Sequence, residues 1–450
     1  PIGSPIHVMP DLVPPLPTAK QGEAFVSQDT VRFRAGSTPG TTQVTYQIID
    51  GYGQKVAAQA SIQILPATND GQAPRPIDVT ARTLSGTQVQ VPITLDGIDP
   101  NGSSVELVGI ASAPTKGTVT AVGENSLTYQ AFGDATGLDT FTYLVRDRMG
   151  LEGTASVRVG IAPQPTTGTA PFAGKDTVLM RPGRTIAADV MANDSDPGGN
   201  PLHLVAGGLI VPKVDGLSAQ VVGGRVYITA PNREMTATIQ YTVANSLGMT
   251  AIGAIAVTAS PSAPLLPPVA NDIWVRTPDV RKGDTAQIDV RANASDPNGT
   301  PQDLKVTADP GVKVGTNGKV QVQVTAAAQV IGYTVTNPDG LAASAFVFVP
   351  ARADLIPALS TTAPVTVHSG EQVRIPLAAH IIAAGGKTVR ITEAAKVSAD
   401  HSDGGSLMQD PFTLSYRSAA KYTGDDAITL EVTDGTGPDD PNGRKATLSI

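Results

Sequence analysis

Two stretches of the sequence hold carboxylates at spacings that could bind a metal ion. VMANDSDPGGNPL (190–202) sets Asp194 and Asp196 two residues apart beside a Pro-Gly-Gly-Asn turn. VTDGTGPDDPNG (432–443) supplies Asp434, Asp439, Asp440 and Asn442, with Asp425 and Asp426 just upstream. Calcium takes six to eight oxygens, usually from several carboxylates converging on one point. Asp194, Asp196, Asp434, Asp439 and Asp440 are therefore candidate ligands, and calcium is the candidate ion. Both stretches also have a plainer reading, in which an Asp caps its own turn or a hairpin tip is simply acidic and solvated.

The sister loops narrow the first case. GIDPNGSSVEL from Gly97 and NASDPNGTPQDL from Asn293 share only Asp-Pro-x-Gly with it, at Asp99, Asp196 and Asp296. The position of Asp194 is Gly97 in one sister and Ala294 in the other, and HIIAAGGKTV (380–389) replaces the loop later in the chain without any carboxylate. What is common to the three is what a turn requires. Asn271 and Asp272, in the link PPVAND (267–272), could hold an ion at a junction or cap another turn.

Other chemistries lack their residues. The histidines at 7, 203, 368, 380 and 401 have no paired spacing, and there is no HExxH, GxSxG, P-loop or strand-borne GxGxxG pattern. Asp425 and Asp426 are adjacent, so on a strand they would face opposite ways rather than flank a substrate. The single Trp274 could stack on a sugar or pack at a domain junction. With no cysteine, disulfides and thiolate metal sites are excluded. The net charge of −8 without a basic cluster gives no footprint for nucleic acid. No apolar run approaches the roughly 18 residues of a membrane span.

The elements that must position these residues are strands. Five segments repeat one pattern: TYQIIDGYG from Thr45, TYLVRDRMG from Thr142, QYTVANSLG from Gln240, GYTVTNPDG from Gly332 and TLEVTDGTG from Thr429. Their anchors at 46, 143, 241, 333 and 430 are spaced by 97, 98, 92 and 97 residues. Alternate apolar residues put one strand face inward, and Asp or Asn followed by Gly then turns the chain. A second apolar run follows, as in ASVRVGI (155–161), so each copy ends in a β-hairpin. Openers such as GTQVQVPI at Gly86 and GDTAQIDV at Gly283 recur, and Pro-rich links (65–76, 162–172, 260–272, 350–359) separate the copies.

About seven short strands per 95 residues predict an all-β chain, a tandem array of Ig-like or cadherin-like Greek-key β-sandwiches. The expected modules are 1–66, 67–163, 164–260, 261–350 and 351–450, the first incomplete at its N-terminus and the last divergent. The chain thus reads as a segment of a longer array.

PPVAND (267–272), DVMANDSDPGGNPLHLV (189–205) and GLDTFTYLVRDRMG (137–150) resemble the bacterial cadherin-like and Ig-like tandem repeats of very large secreted or surface-attached proteins. The resemblance covers nearly the whole chain, best in the second to fourth modules. It implies an extracellular or bacterial cell-surface location, with neighbouring modules of the same longer chain and cell-envelope or surface ligands as partners. Some members of the resembled group bind calcium between modules. The expected role is a non-enzymatic stalk or spacer in adhesion. Five modules in line would reach on the order of 200 Å. The alternative is a direct adhesion or glycan-binding module with its site in the fifth domain, whose opening loop and closing turn both depart from the pattern.

Overall fold

The computed structural model describes residues 6–66, 71–164, 169–281, 284–360 and 363–450. The opening Gly283 and parts of the links 65–76 and 162–172 lie outside them. The chain is all-β, with only three-residue 3-10 turns between strands among the described residues.

The second module shows how the pattern becomes a sandwich. One sheet orders the strands Val79–Leu84, Glu152–Ala162, Gly137–Asp147 and Val105–Ser112; the other orders Gln88–Pro92, Ser126–Ala131 and Gly117–Val122. The repeated anchor lies on Gly137–Asp147, where Phe141, Tyr143 and Val145 alternate inward and are buried. They meet Val91, Leu127 and Tyr129 from the opposite sheet, and Tyr129 stacks on Phe141 at 5.8 Å. Burying side chains of this kind contributes roughly 1.5–3 kcal/mol each. The first strand runs parallel to the last, Val79 beside Val157 through Leu84 beside Ala162.

The third module repeats this plan. Lys175–Met180 lies parallel to Thr250–Ala259, which pairs with Met235–Asn245, and the facing sheet holds Thr185–Ala188, Arg225–Thr229 and Ser218–Val222. In the fourth, Ile273–Trp274 takes the parallel place beside Ala342–Val349. The fifth keeps the closing hairpin, Thr429–Thr433 with Lys445–Ser449, but breaks its opening half into short pieces and 3-10 turns. Separate apolar cores fill the second, third, fourth and fifth modules.

The modules do not lie in a straight array, because contacts join modules distant in sequence. The first module's hairpin, Gly22–Ser27 with Thr30–Ala35, lies on the strand Ala342–Val349 of the fourth. Phe25 meets Phe346 edge-on at 5.2 Å, and Arg32 and Arg34 pair with Asp272 and Asp309. Arg276 of the fourth module donates to the carbonyls of Leu107, Val122 and Gly123 in the second. His401 of the fifth reaches Asp134 of the second at 3.1 Å and packs edge-on against Phe132.

Candidate functional site

The two neighbouring carboxylates of the opening stretch serve different partners. Asp194 accepts a hydrogen bond from Gly174 N at 2.7 Å and from the buried Tyr241 hydroxyl at 2.9 Å. Burial and this bond to Asp194 raise the Tyr241 phenol well above its ordinary value. Asp196 accepts from the backbone and side-chain amides of Asn200 at 2.9 and 2.8 Å, and from Asn245 Nδ2 at 2.8 Å. Burial pushes Asp196 upward, but the bonds from Asn245 and Asn200 outweigh it and hold the carboxyl below its ordinary value.

At the fifth module's closing turn, Asp434 is buried and already neutralised by Lys387 Nζ at 2.9 Å, while Arg444 N donates to it at 2.6 Å. Asp440 accepts from Thr436 N, Thr436 Oγ1 and Asn442 N. The backbone N–H groups of Thr436 and Asn442 hold it down to about 2. Asp439 is exposed. Among the described residues no three His, Asp or Glu side chains gather where a metal could sit. Nearby, Asp426 takes the Tyr416 hydroxyl at 2.8 Å and the His401 backbone N–H, so it is an interior group rather than a surface ligand.

The link residues Asn271 and Asp272 form a joint. Asn271 accepts from Gln28 Nε2 of the first module at 2.7 Å and donates to Asn293 O. Asp272 accepts from Phe346 N and pairs with Arg32. Trp274 stacks on Phe348 of its own module at 4.1 Å, which leaves one face of the pair engaged within the fold.

Sequence reasoning missed the arginines. Arg34 is fixed by Asp309 and Glu23, and Arg184 of the third module forms a two-pronged pair with Asp339 of the fourth at 2.6 and 2.5 Å. The bond from Asp309 is the main reason the Arg34 guanidinium is raised above its ordinary value. Arginine alternating with apolar residues on the hairpin TVRFRA was the available signal, but its partners lie some 240 to 275 residues away. The second, fourth and fifth modules also border an open cleft of about 620 Å³, lined by groups that include Leu107, Ala121, Arg276, Ile356, Leu359 and Ala446.

Residues 69–160 and 168–258 match the bacterial Ig domain family. Two successive segments of the chain, its second and third modules, are thus similar to bacterial Ig domains. Among solved structures it is similar to the human desmocollin-1 ectodomain, at 12% identity over 95% of this chain and 88% of that one, with a TM-score of 0.18. It is similar to the N-terminal four Ig domains of Dscam1 isoform 1.9, at 13% identity over 77% and 91%, with a TM-score of 0.25. An endo-fucoidan hydrolase of glycoside hydrolase family 107 matches at 11% identity, with a TM-score of 0.21, over 55% of this chain and 38% of that one. Whole-chain scores this low carry no argument about activity. No curated protein matches the chain.

Proposed function

We propose that this chain is a non-enzymatic structural segment of a large bacterial cell-surface or secreted protein, a spacer that sets an adhesive part away from the envelope. The observation that supports this is the pairing of apolar cores with polar joints. Each of the second to fifth modules has an apolar cluster, that of the fourth extended by Leu355 and Ala384 of the fifth, and polar bonds recur where modules meet, as Arg–Asp pairs and arginine-to-carbonyl bonds beside the ring contacts of Phe25 with Phe346 and His401 with Phe132. Such a chain gains reach by adding modules without redesigning any core. No helix of the described residues is long and apolar enough to cross a membrane.

Deleting the third module from the full-length protein tests the reading. A spacer loses length but keeps its affinity for the target surface. A loss of target binding on removing this module alone would refute it.

The cleft between the second, fourth and fifth modules favours a second reading, direct adhesion through the fifth domain. Its size suits a small ligand, and Arg276 and Arg444 border an otherwise largely apolar wall. On that reading, removing the fifth module abolishes binding while removing the third does not shorten the range at which binding occurs.

A further inference from the structure

The joints at Arg34, Arg184 and Arg276 use a permanent charge, whereas the joint between the second and fifth modules uses a histidine. His401 follows the strand Val397–Ser398 of the fifth module and sets its ring against the second. The ring stacks on Tyr422 at 4.0 Å and meets the buried Phe132 of the second module edge-on at 5.5 Å. Its Nε2 lies 3.1 Å from Asp134 Oδ2 of the second module, and its Nδ1 lies 3.6 Å from Asp426 Oδ1 of its own. That Nδ1 is sealed from solvent and has no hydrogen-bond partner.

A neutral imidazole has a single N–H and cannot serve both sides. With the proton on Nε2 the bond to Asp134 forms, and the Nδ1 lone pair then faces a carboxylate oxygen. With the proton on Nδ1 the same conflict moves to Asp134. Only the imidazolium, with two donors, suits both carboxylates. Asp426 is not free to turn aside. Its Oδ2 takes the Tyr416 hydroxyl at 2.8 Å and the His401 backbone N–H, and its Oδ1 takes Ala427 N at 2.8 Å. The surroundings add negative charge. On the fifth module's side stand Asp400, Asp425 beside Tyr422, and Asp403, which lies 3.9 Å from Arg417. Burial, and then the Asp426 charge, raise the Asp400 carboxyl, and His401 opposes that rise. On the second module's side, Asp139 takes the Tyr129 hydroxyl and the backbone N–H groups of Thr115 and Lys116, while Lys116 Nζ donates to Thr136 O. Burial above all raises the phenols of Tyr129, Tyr416 and Tyr422, so they stay neutral wherever a histidine titrates.

We propose that this joint is a proton-operated clasp: protonated His401 bridges Asp134 of the second module and Asp426 of the fifth and holds the two modules together, and loss of the proton releases them. Closing the joint favours the ring that carries the proton. Closure therefore gains as pH falls through the range, between about 8 and 5, in which histidine changes charge. Below about pH 4 the carboxylates take protons themselves and the clasp weakens again. The Arg34–Asp309 and Arg184–Asp339 pairs keep both charges throughout the histidine range, so acidity acts on the fifth module's contact and leaves those two in place. The fifth module is thus docked in mildly acid surroundings and swings free in alkaline ones, in a spacer and in an adhesin alike.

The test is resonance energy transfer between dyes on Thr94→Cys in the second module and Asp439→Cys in the fifth, both exposed, in a full chain that has no cysteine of its own. From pH 8 to about pH 5.5 the ratio of closed to open chains should rise on the order of tenfold, as a hydrogen bond between charged groups allows. His401→Gln presents a neutral amide and should stay at the open level at both pH values. Asp134→Asn changes an exposed side chain of the second module and leaves the fifth module's interior untouched, so it should remove most of the response even where His401→Gln fails to fold. Glu124→Gln, at the joint with Arg276, should keep the response. A wild-type signal that does not change with pH overturns the proposal. So does a response that survives Asp134→Asn, or one that vanishes in Glu124→Gln, because another carboxyl would then work the joint.

Discussion

The interior of a module and the joint between modules are built from opposite materials. Inside the second module, Leu127, Tyr143, Val145 and Val157 are fully buried in one apolar cluster, the Tyr143 hydroxyl donating to the Ile77 carbonyl. At the joints, Arg34, Arg184 and Arg276 reach carboxylates or carbonyls across partly wet surfaces. Apolar burial is insensitive to salt, while exposed ion pairs contribute little and are screened within about 8–10 Å at ordinary ionic strength. The difference teaches that fold and overall shape answer to different conditions, so either can be altered while the other is kept.

The largest expected effect lies in a core. Leu127→Ala should destabilise the second module by about 3 kcal/mol through lost burial and a cavity, read as a shifted denaturant midpoint for that module alone. The radius of gyration in buffer should stay unchanged. A change of shape without the stability loss would break the comparison.

Tyr241→Phe comes next. It deletes the hydroxyl that serves Asp194 and the carbonyl of Val190, and should cost about 1–2 kcal/mol, visible as an earlier unfolding transition of the third module.

Glu124, at the joint facing Asp272 and Arg276, gives a smaller and pH-dependent effect. Burial, and then the Asp272 charge, raise its carboxyl to about 6 from an ordinary 4.5. The folded state therefore prefers the protonated form. This contribution is fully present below about pH 4.5 and is lost as pH rises through about 6. Glu124→Gln should stabilise the protein by about 1 kcal/mol at pH 7, after allowance for solvent screening, and make no difference at pH 4. Equal effects at both pH values would show that its charge is irrelevant.

The smallest energetic effect should come from salt. Raising sodium chloride to about 0.5 M should loosen the Arg34–Asp309 and Arg184–Asp339 joints, and small-angle scattering should then show a longer particle. Unfolding midpoints of the modules should move by less than about 0.5 kcal/mol. If the cores melted with the joints, the division drawn above would be wrong.

The sequence made the repeated parts legible because they depend on short-range rules. Tyr143, Tyr241 and Tyr333 are buried on anchor strands, and Asp99 and Asp296 cap their Asp-Pro-x-Gly turns through the backbone N–H two residues on. Asp196 caps its own turn too, through Asn200 N, but its bond from Asn245, like that of Asp296 from Asn337, was hidden because only strand register brings those partners near. Lys387 against Asp434 was equally hidden, as it joins an atypical opening loop to the closing turn across 47 residues. The bent-back arrangement was the least legible of all. It rests on Arg32, Arg34 and Arg276 meeting groups more than 150 residues distant, and no local pattern encodes such a meeting.

One feature of the sandwiches bears on how the chain answers to force. In the second and third modules the strand that enters lies parallel beside the strand that leaves, over six residue pairs in each. Pulling on the two ends drags these strands past one another lengthwise, so the bonds between them are loaded together instead of being peeled open one at a time. The fourth module holds only two such pairs, Ile273 with Val347 and Trp274 with Phe348. Under a steady pull the joints part first, the fourth module gives way next, and the second and third resist longest.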